Sequence, residues 1–127
     1  MLVPLCSFAA EGPQPTEQAQ ALATCHGRYT ATVEHSRLVA VENDAAAMRR
    51  DLIEALMNTF LAERAGDRTF SIALMRNRVE ARSEMRNLFS AATFGQDMRR
   101  QRLADGQIRR HLSACDALIL GQDVRAF

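Results

Sequence analysis

The sequence of 127 residues has no lysine: all sixteen of its basic residues are arginine. Chemistry that needs a lysine amine, such as a Schiff base or a P-loop phosphate cradle, is therefore excluded. A GC-rich genome accounts for arginine without lysine, and for the abundant alanine, more simply than selection for the forked guanidinium does. Proline is confined to Pro4, Pro13 and Pro15, so nothing beyond residue 15 interrupts a helix by that route. No run approaches the roughly 20 apolar residues that cross a bilayer. Motifs are missing as well: there is no GxGxxG, GxxxxGK[ST], GxSxG, HExxH, CxxC or CxxCH, and no ExxH pair of the kind that builds a di-iron bundle. These gaps leave catalysis without an anchor, and a non-enzymatic chain with no cofactor is the expectation.

What is present has the balance of a globular protein, with 47% hydrophobic and 24% charged residues. The length fits one domain. Net charge is +1, but it is unevenly laid down: residues 1–67 carry five arginines against nine acids, and residues 68–127 carry eleven against six. Antiparallel helices of complementary charge explain this asymmetry more readily than an anion-binding half does.

Apolar residues recur at helical spacing along the chain. Thr16 and Glu17 open a helix expected to reach Glu42, with Leu22, Cys25 or His26, Tyr29, Val33 and Ala40 on one face. Asp44 is placed to cap a second helix carrying Met48, Leu52, Leu56 and Phe60, widened by Ile53, Met57 and Leu61 and closed by Gly66. Asp67 or Thr69 starts a third, with Phe70, Leu74, Asn77, Ala81, Met85, Leu88 and Ala92 inward, ending near Gly95. Asp97 caps a fourth, with Ala104, Ile108, Leu112, Cys115 and Ile119 inward and Gly121 as its stop. Helices of matched length, roughly 32 to 39 Å at 1.5 Å per residue, with short connections predict an all-α, antiparallel up-down-up-down four-helix bundle over residues 16–127.

That topology brings the beginning of the first helix and the end of the last to one end of the bundle, and with them Cys25 and Cys115. Three arrangements follow. In an oxidising compartment the two cysteines form a disulfide, which closes a loop of about 90 residues and stabilises by roughly 4 to 5 kcal/mol before strain is subtracted. Alternatively Cys25, His26, His111 and Cys115 hold Zn or Cu, since His111 and Cys115 share a helix face; adjacent Cys25 and His26, about 100° apart, argue against it. In the third, both cysteines are unpaired small core residues. The disulfide is the expectation.

Other features read as surface or core. Arg99, Arg100, Arg102, Arg109 and Arg110 form the densest basic cluster, a candidate anion-binding or partner-binding face, but no aromatic is interleaved and a solvated, ion-paired face is expected. Nucleic acid is not the expected partner, and an intracellular, cytoplasmic partner-binding module using these arginines is the alternative reading. The ridge Arg78, Arg82 and Arg86 and the pair Glu80 and Glu84 read the same way. Met48, Met57, Met75, Met85 and Met98 are expected to fill the core rather than bind Cu(I). His26 and His111 are read as polar edges of the core.

With "CHGRYTATVEH" and "HLSACDALILG" on the page, the chain resembles small exported helical bacterial proteins with one cysteine early in the first helix and another near the end of the last. The resemblance spans residues 22–121. It implies a helical fold and an exported location, periplasmic or secreted, and supplies no site residues. With that location, an envelope protein is the partner to expect.

The N-terminal "MLVPLCSFAAEGPQP" fits the same location. Its apolar run resembles the core of an export signal, Ser7-Phe8-Ala9 matches a small-x-small cleavage site, and residues 1–15 read as a signal remnant and Pro-rich leader. The basic segment of such a signal is missing, so its start is expected upstream. Lipidation of Cys6 is disfavoured because Leu5 precedes it. Cleavage after Ala9 removes Cys6 and leaves the two cysteines that the topology pairs.

Overall fold

The computed structural model describes the backbone of residues 15–125 and the side chains of residues 16–121. The proposed leader up to Gln14, with Cys6 and the cleavage site at Ala9, lies outside the described residues. Among the described residues the structure is all-α, with helices α1 (Pro15–Leu38), α2 (Asp44–Glu63), α3 (Arg68–Phe94) and α4 (Met98–Arg125). None of them is long and apolar enough to cross a membrane.

Paired residues give the directions. Gly27, Glu34 and His35 of α1 meet Arg82, Arg82 and Phe89 of α3, so numbers rise together and these two helices run parallel. Glu84 of α3 meets His111 of α4, while Cys25 of α1 meets Cys115 and Ala31 clusters with Ile108, so α4 is antiparallel to both. The up-down-up-down order holds. The packing within it is less symmetric than the sequence suggests, because α1 is a central helix rather than one wall of four. No residue from Gln18 to Ser36 is exposed. The three other helices all pack on α1, α3 most extensively and α4 least.

A one-faced stripe on α1 was the expectation, and the structure corrects it for a reason visible in the residues. Ala19, Ala23, Gly27 and Ala31 recur every fourth position and are all buried. Such an i, i+4 line of small residues is a shallow ridge that lets a neighbouring helix approach closely. The closest approach is at Gly27, where a β-carbon would overlap the carbonyl oxygen of Arg78 and fall 2.9 Å from the amide nitrogen of Arg82. Leu22, Tyr29 and Val33 occupy another side of α1, within the main core formed with Ile53, Met57, Phe70, Leu74 and Ile119. Each fully buried side chain of the size of Leu22 or Ile53 contributes about 1.5 to 3 kcal/mol relative to exposure.

The helix ends follow local capping chemistry at some positions and depart from it at others. α1 stops at Leu38, not Glu42. Ala40 turns into the left-handed region at φ 59°, its N–H donates to the Arg37 carbonyl, and the N–H of Val41 donates to the carbonyl of Ser36 at 2.8 Å. These bonds make a Schellman ending with alanine in the place usually held by glycine. The cap of α2 is Asn43, whose side chain accepts from the Ala46 N–H at 3.1 Å, and Asp44 is the first helical residue. Asp67 caps α3 through the Phe70 N–H, Gly95 ends it, and Asp97 accepts from the Arg99 N–H ahead of α4. Gly66, at φ 91°, makes the turn after α2. Gly121 does not stop α4, which continues to Arg125. Gly121 keeps a negative φ within the helix, unlike Gly66, and so makes no turn there.

The inward stripes of α3 and α4 are largely as expected, with Phe70, Leu74, Ala81 and Met85, and with Ala104, Ile108, Cys115 and Ile119 buried. On α2 the buried line is Ala46, Ile53 and Met57, and Met48 and Leu52 face outward, Met48 with 71% of its surface exposed. α2 packs principally on one helix, so only one narrow line is covered. For the same reason the methionines divide: Met57 and Met85 fill the core, and Met48, Met75 and Met98 do not.

Replacing Gly27 by alanine tests the close approach. Alanine favours an isolated helix by up to about 1 kcal/mol, but here its methyl meets backbone that cannot swing away, so Gly27→Ala is expected to lose about 2 kcal/mol or more in urea unfolding. A variant as stable as the parent contradicts the contact.

Candidate functional site

The sequence marks Cys25, His26, His111 and Cys115 as one constellation, and the structure divides them. The sulfurs of Cys25 and Cys115 are bonded at 2.07 Å with α-carbons 5.5 Å apart, across 90 residues of sequence. Both cysteines are buried, Cys115 completely. The bond sits between α1 and α4, the least extensive of the interfaces that α1 makes, and joins two helices otherwise held together largely through α3.

Polar groups ring this bond. Arg28, a turn along from Cys25, donates through Nη1 to the Cys115 sulfur at 3.7 Å. Its Nε is buried without a partner, and the guanidinium borders a cavity of about 180 Å³ with Thr24, Asn77, Glu80, Ala81 and Glu84. Tyr29 donates its hydroxyl to Asp116 at 2.5 Å, and Arg49 of α2 approaches the same carboxylate at 3.6 Å, so Asp116 braces three helices. Burial, and then the bond to Asp116, push the Tyr29 hydroxyl far above its ordinary range, so it remains a donor at every physiological pH.

The histidines point away from the sulfurs to different partners. His26, buried, lies with Nε2 3.3 Å from Glu54 of α2, at ion-pair distance but without hydrogen-bond alignment, and its Nδ1 is 3.5 Å from the Thr30 hydroxyl. His111 lies 2.9 Å from Glu84 of α3. A thiolate site needs free sulfurs and converging imidazoles, and here the sulfurs are bonded to each other while the rings face Glu54 and Glu84. Among the described residues no three metal-ligating side chains come together.

Both imidazoles are held below their ordinary pKa. For His26 the chief cause is burial, then the charge of Arg78 on α3, with Arg50 on α2 adding to it and Glu54 opposing. For His111 the cause is again burial, followed by Arg28, with Glu84 opposing.

The arginine cluster is spread over the exposed surface of α4. Arg99, Arg102, Arg109 and Arg110 are exposed, Arg109 pairs with Asp105 at 3.2 Å one turn away, and Arg100 borders a depression beside Phe94. Spacing at 100° per residue puts Arg102 with Arg109 about 80° around the helix from Arg99 with Arg110, and Arg100 about 90° to the other side, so the five spread over roughly half the circumference and do not focus on one point. The ridge Arg78, Arg82 and Arg86 is more specific. Arg82 makes a two-pronged pair with Glu34 of α1, its Nε donating at 2.9 Å, which is an interhelical contact between the acidic and basic halves of the chain. Sequence reading missed the partner of this ridge because Glu34 is 48 residues distant and carries no motif. Compared with known proteins, the chain matches no protein family, no curated protein and no solved structure.

The histidine geometry fixes a pH response. A base whose folded pKa is depressed takes up its proton more readily when unfolded, so stability is retained above the unfolded value near 6.5 and falls as pH drops below it. Thermal unfolding of the parent is expected to shift downward between about pH 7 and 5.5, and His26→Gln to flatten part of that dependence. An identical pH profile for the variant contradicts the environment described for His26.

Proposed function

We propose that this chain works as a non-catalytic helical domain in an oxidising, extracytoplasmic compartment, in a binding or structural role at the cell envelope. The observation that carries the reading is the buried Cys25–Cys115 bond, because disulfides persist in oxidising compartments and are rare where thiols are kept reduced. Its position supports a structural duty: it reinforces the weakest side of the central helix, and full burial of Cys115 keeps it from the exchange chemistry of redox enzymes. A non-catalytic role is supported by how the interior polar groups are engaged. Tyr29 is committed to Asp116 and His111 to Glu84, so these groups serve the fold.

The test is made on protein recovered from fractionated cells, with thiols alkylated before lysis and the chain then examined by mass spectrometry. The expected result is an unalkylated Cys25–Cys115 pair in an extracytoplasmic fraction. Both cysteines alkylated, in protein found with the cytosol, overturns the reading.

A further inference from the structure

We infer that the groove between the C-terminal halves of α1 and α3 binds a small anionic amphiphile, a carboxylate on an unbranched acyl chain. The proposal gives a ligand class to the binding role above, and it does not depend on the compartment.

The groove encloses about 380 Å³, within the range of small-molecule sites. Its floor is aromatic: the His35 ring stacks on Phe89 with centroids 4.4 Å apart and planes 13° from parallel. Its mouth is apolar on two sides. Leu38 near the end of α1 is 69% exposed and Phe94 at the end of α3 is 60% exposed. Single exposed apolar side chains need no explanation, but two from different helices that converge on one concavity mark a surface suited to an apolar ligand.

Charge selects the head group. Glu34 and Arg82 neutralise each other at one wall, and the hydrogen bonds from Arg82 hold the Glu34 carboxyl below its ordinary range. One turn further along α3, Arg86 lines the same groove and forms no ion pair among the described residues. The groove thus offers, in Arg86, a cation held in no ion pair among the described residues, whose charge acts on Glu34 beside that of Arg82, together with an apolar surface. A single carboxylate matches the guanidinium in charge and in two-pronged geometry. With Glu34 neutralised by Arg82, the charge left in the lining is that of Arg86, which repels a cationic head. A second depression, about 550 Å³, shares Ser90 and Phe94 with the first and leads toward Arg100, which gives a chain room to extend past Phe94.

Isothermal titration calorimetry of the oxidised full chain with sodium decanoate, below its micellar range, tests the site. Acetate serves as the probe without a chain and decyltrimethylammonium as the probe with the opposite charge. The expected result is saturable binding of one decanoate per chain, with no saturable binding of acetate or of the cation. Arg86→Gln is expected to weaken decanoate binding about tenfold, Phe94→Ser to weaken it also, and Arg109→Gln to leave it unchanged. Circular dichroism confirms that each variant is folded, which these exposed positions allow.

Absence of saturable decanoate binding overturns the proposal. Equal binding of the cation, or binding unaffected by both Arg86→Gln and Phe94→Ser, overturns it too and points to nonspecific surfactant uptake. The compartment reading is judged separately: decanoate binding through Arg86 with reduced cysteines in cells leaves this site standing and that reading refuted.

Discussion

The close packing of α1 against α3 at Gly27 is the contact on which the remaining architecture depends. A helix that carries a side chain at that position is held off by the backbone of Arg78 and Arg82. With none there, α1 sinks between its neighbours until no residue from Gln18 to Ser36 faces solvent freely. A helix enclosed in this way must bury its polar residues as well as its apolar ones, and α1 does: Thr32 and Ser36 return their hydroxyls to the carbonyls of Arg28 and Thr32 within the helix, and His26 is set beside Glu54. Such local bonds satisfy buried hydroxyls without requiring a partner from another element.

Enclosure also explains the placing of the disulfide. α4 packs chiefly on α3 and only lightly on α1, so the fourth helix would be attached to the central one mainly through a third. The Cys25–Cys115 bond makes that attachment direct, and Asp116 reinforces it by receiving Tyr29 from α1 and Arg49 from α2 in the next residue along α4. Among the described residues no disulfide or ion pair ties α4 to α1 at the opposite end. There the α1–α3 contact relies on the Glu34–Arg82 pair and the His35–Phe89 stack, and the groove beyond them stays open.

Much of the fold is legible in the sequence because helix ends and one-sided stripes depend on neighbours within a few residues. Asp67, Gly95 and Asp97 act where their residue types predict, and α3 and α4 bury the stripes that their periodicity marks. The cysteine pairing is legible too, since the up-down-up-down order leaves few places for Cys25 to meet another sulfur. The enclosure of α1 escaped because a periodicity reading looks for one apolar face, whereas Ala19, Ala23, Gly27 and Ala31 signal a second contact through smallness. On α2 two lines of apolar residues compete, and only tertiary packing decides for Ile53 and Met57 over Met48 and Leu52. The groove at Arg86 and Phe89 could not be read from sequence, because it is made by helices whose contacting residues lie some 50 positions apart, as with Glu34 and Arg82 at a separation of 48.

Native-state hydrogen exchange tests the central helix most directly. Amides in the most protected element open only with global unfolding, and peripheral elements open locally at lower free energy. The amides of Ala23 to Val33 in α1 are expected to exchange slowest in the molecule, at the rate set by global unfolding, with the outward-facing part of α2 around Met48 and Leu52 exchanging faster. Exchange in α1 that is as fast as in α2 would contradict the account, since α1 is packed by three helices and α2 principally by one.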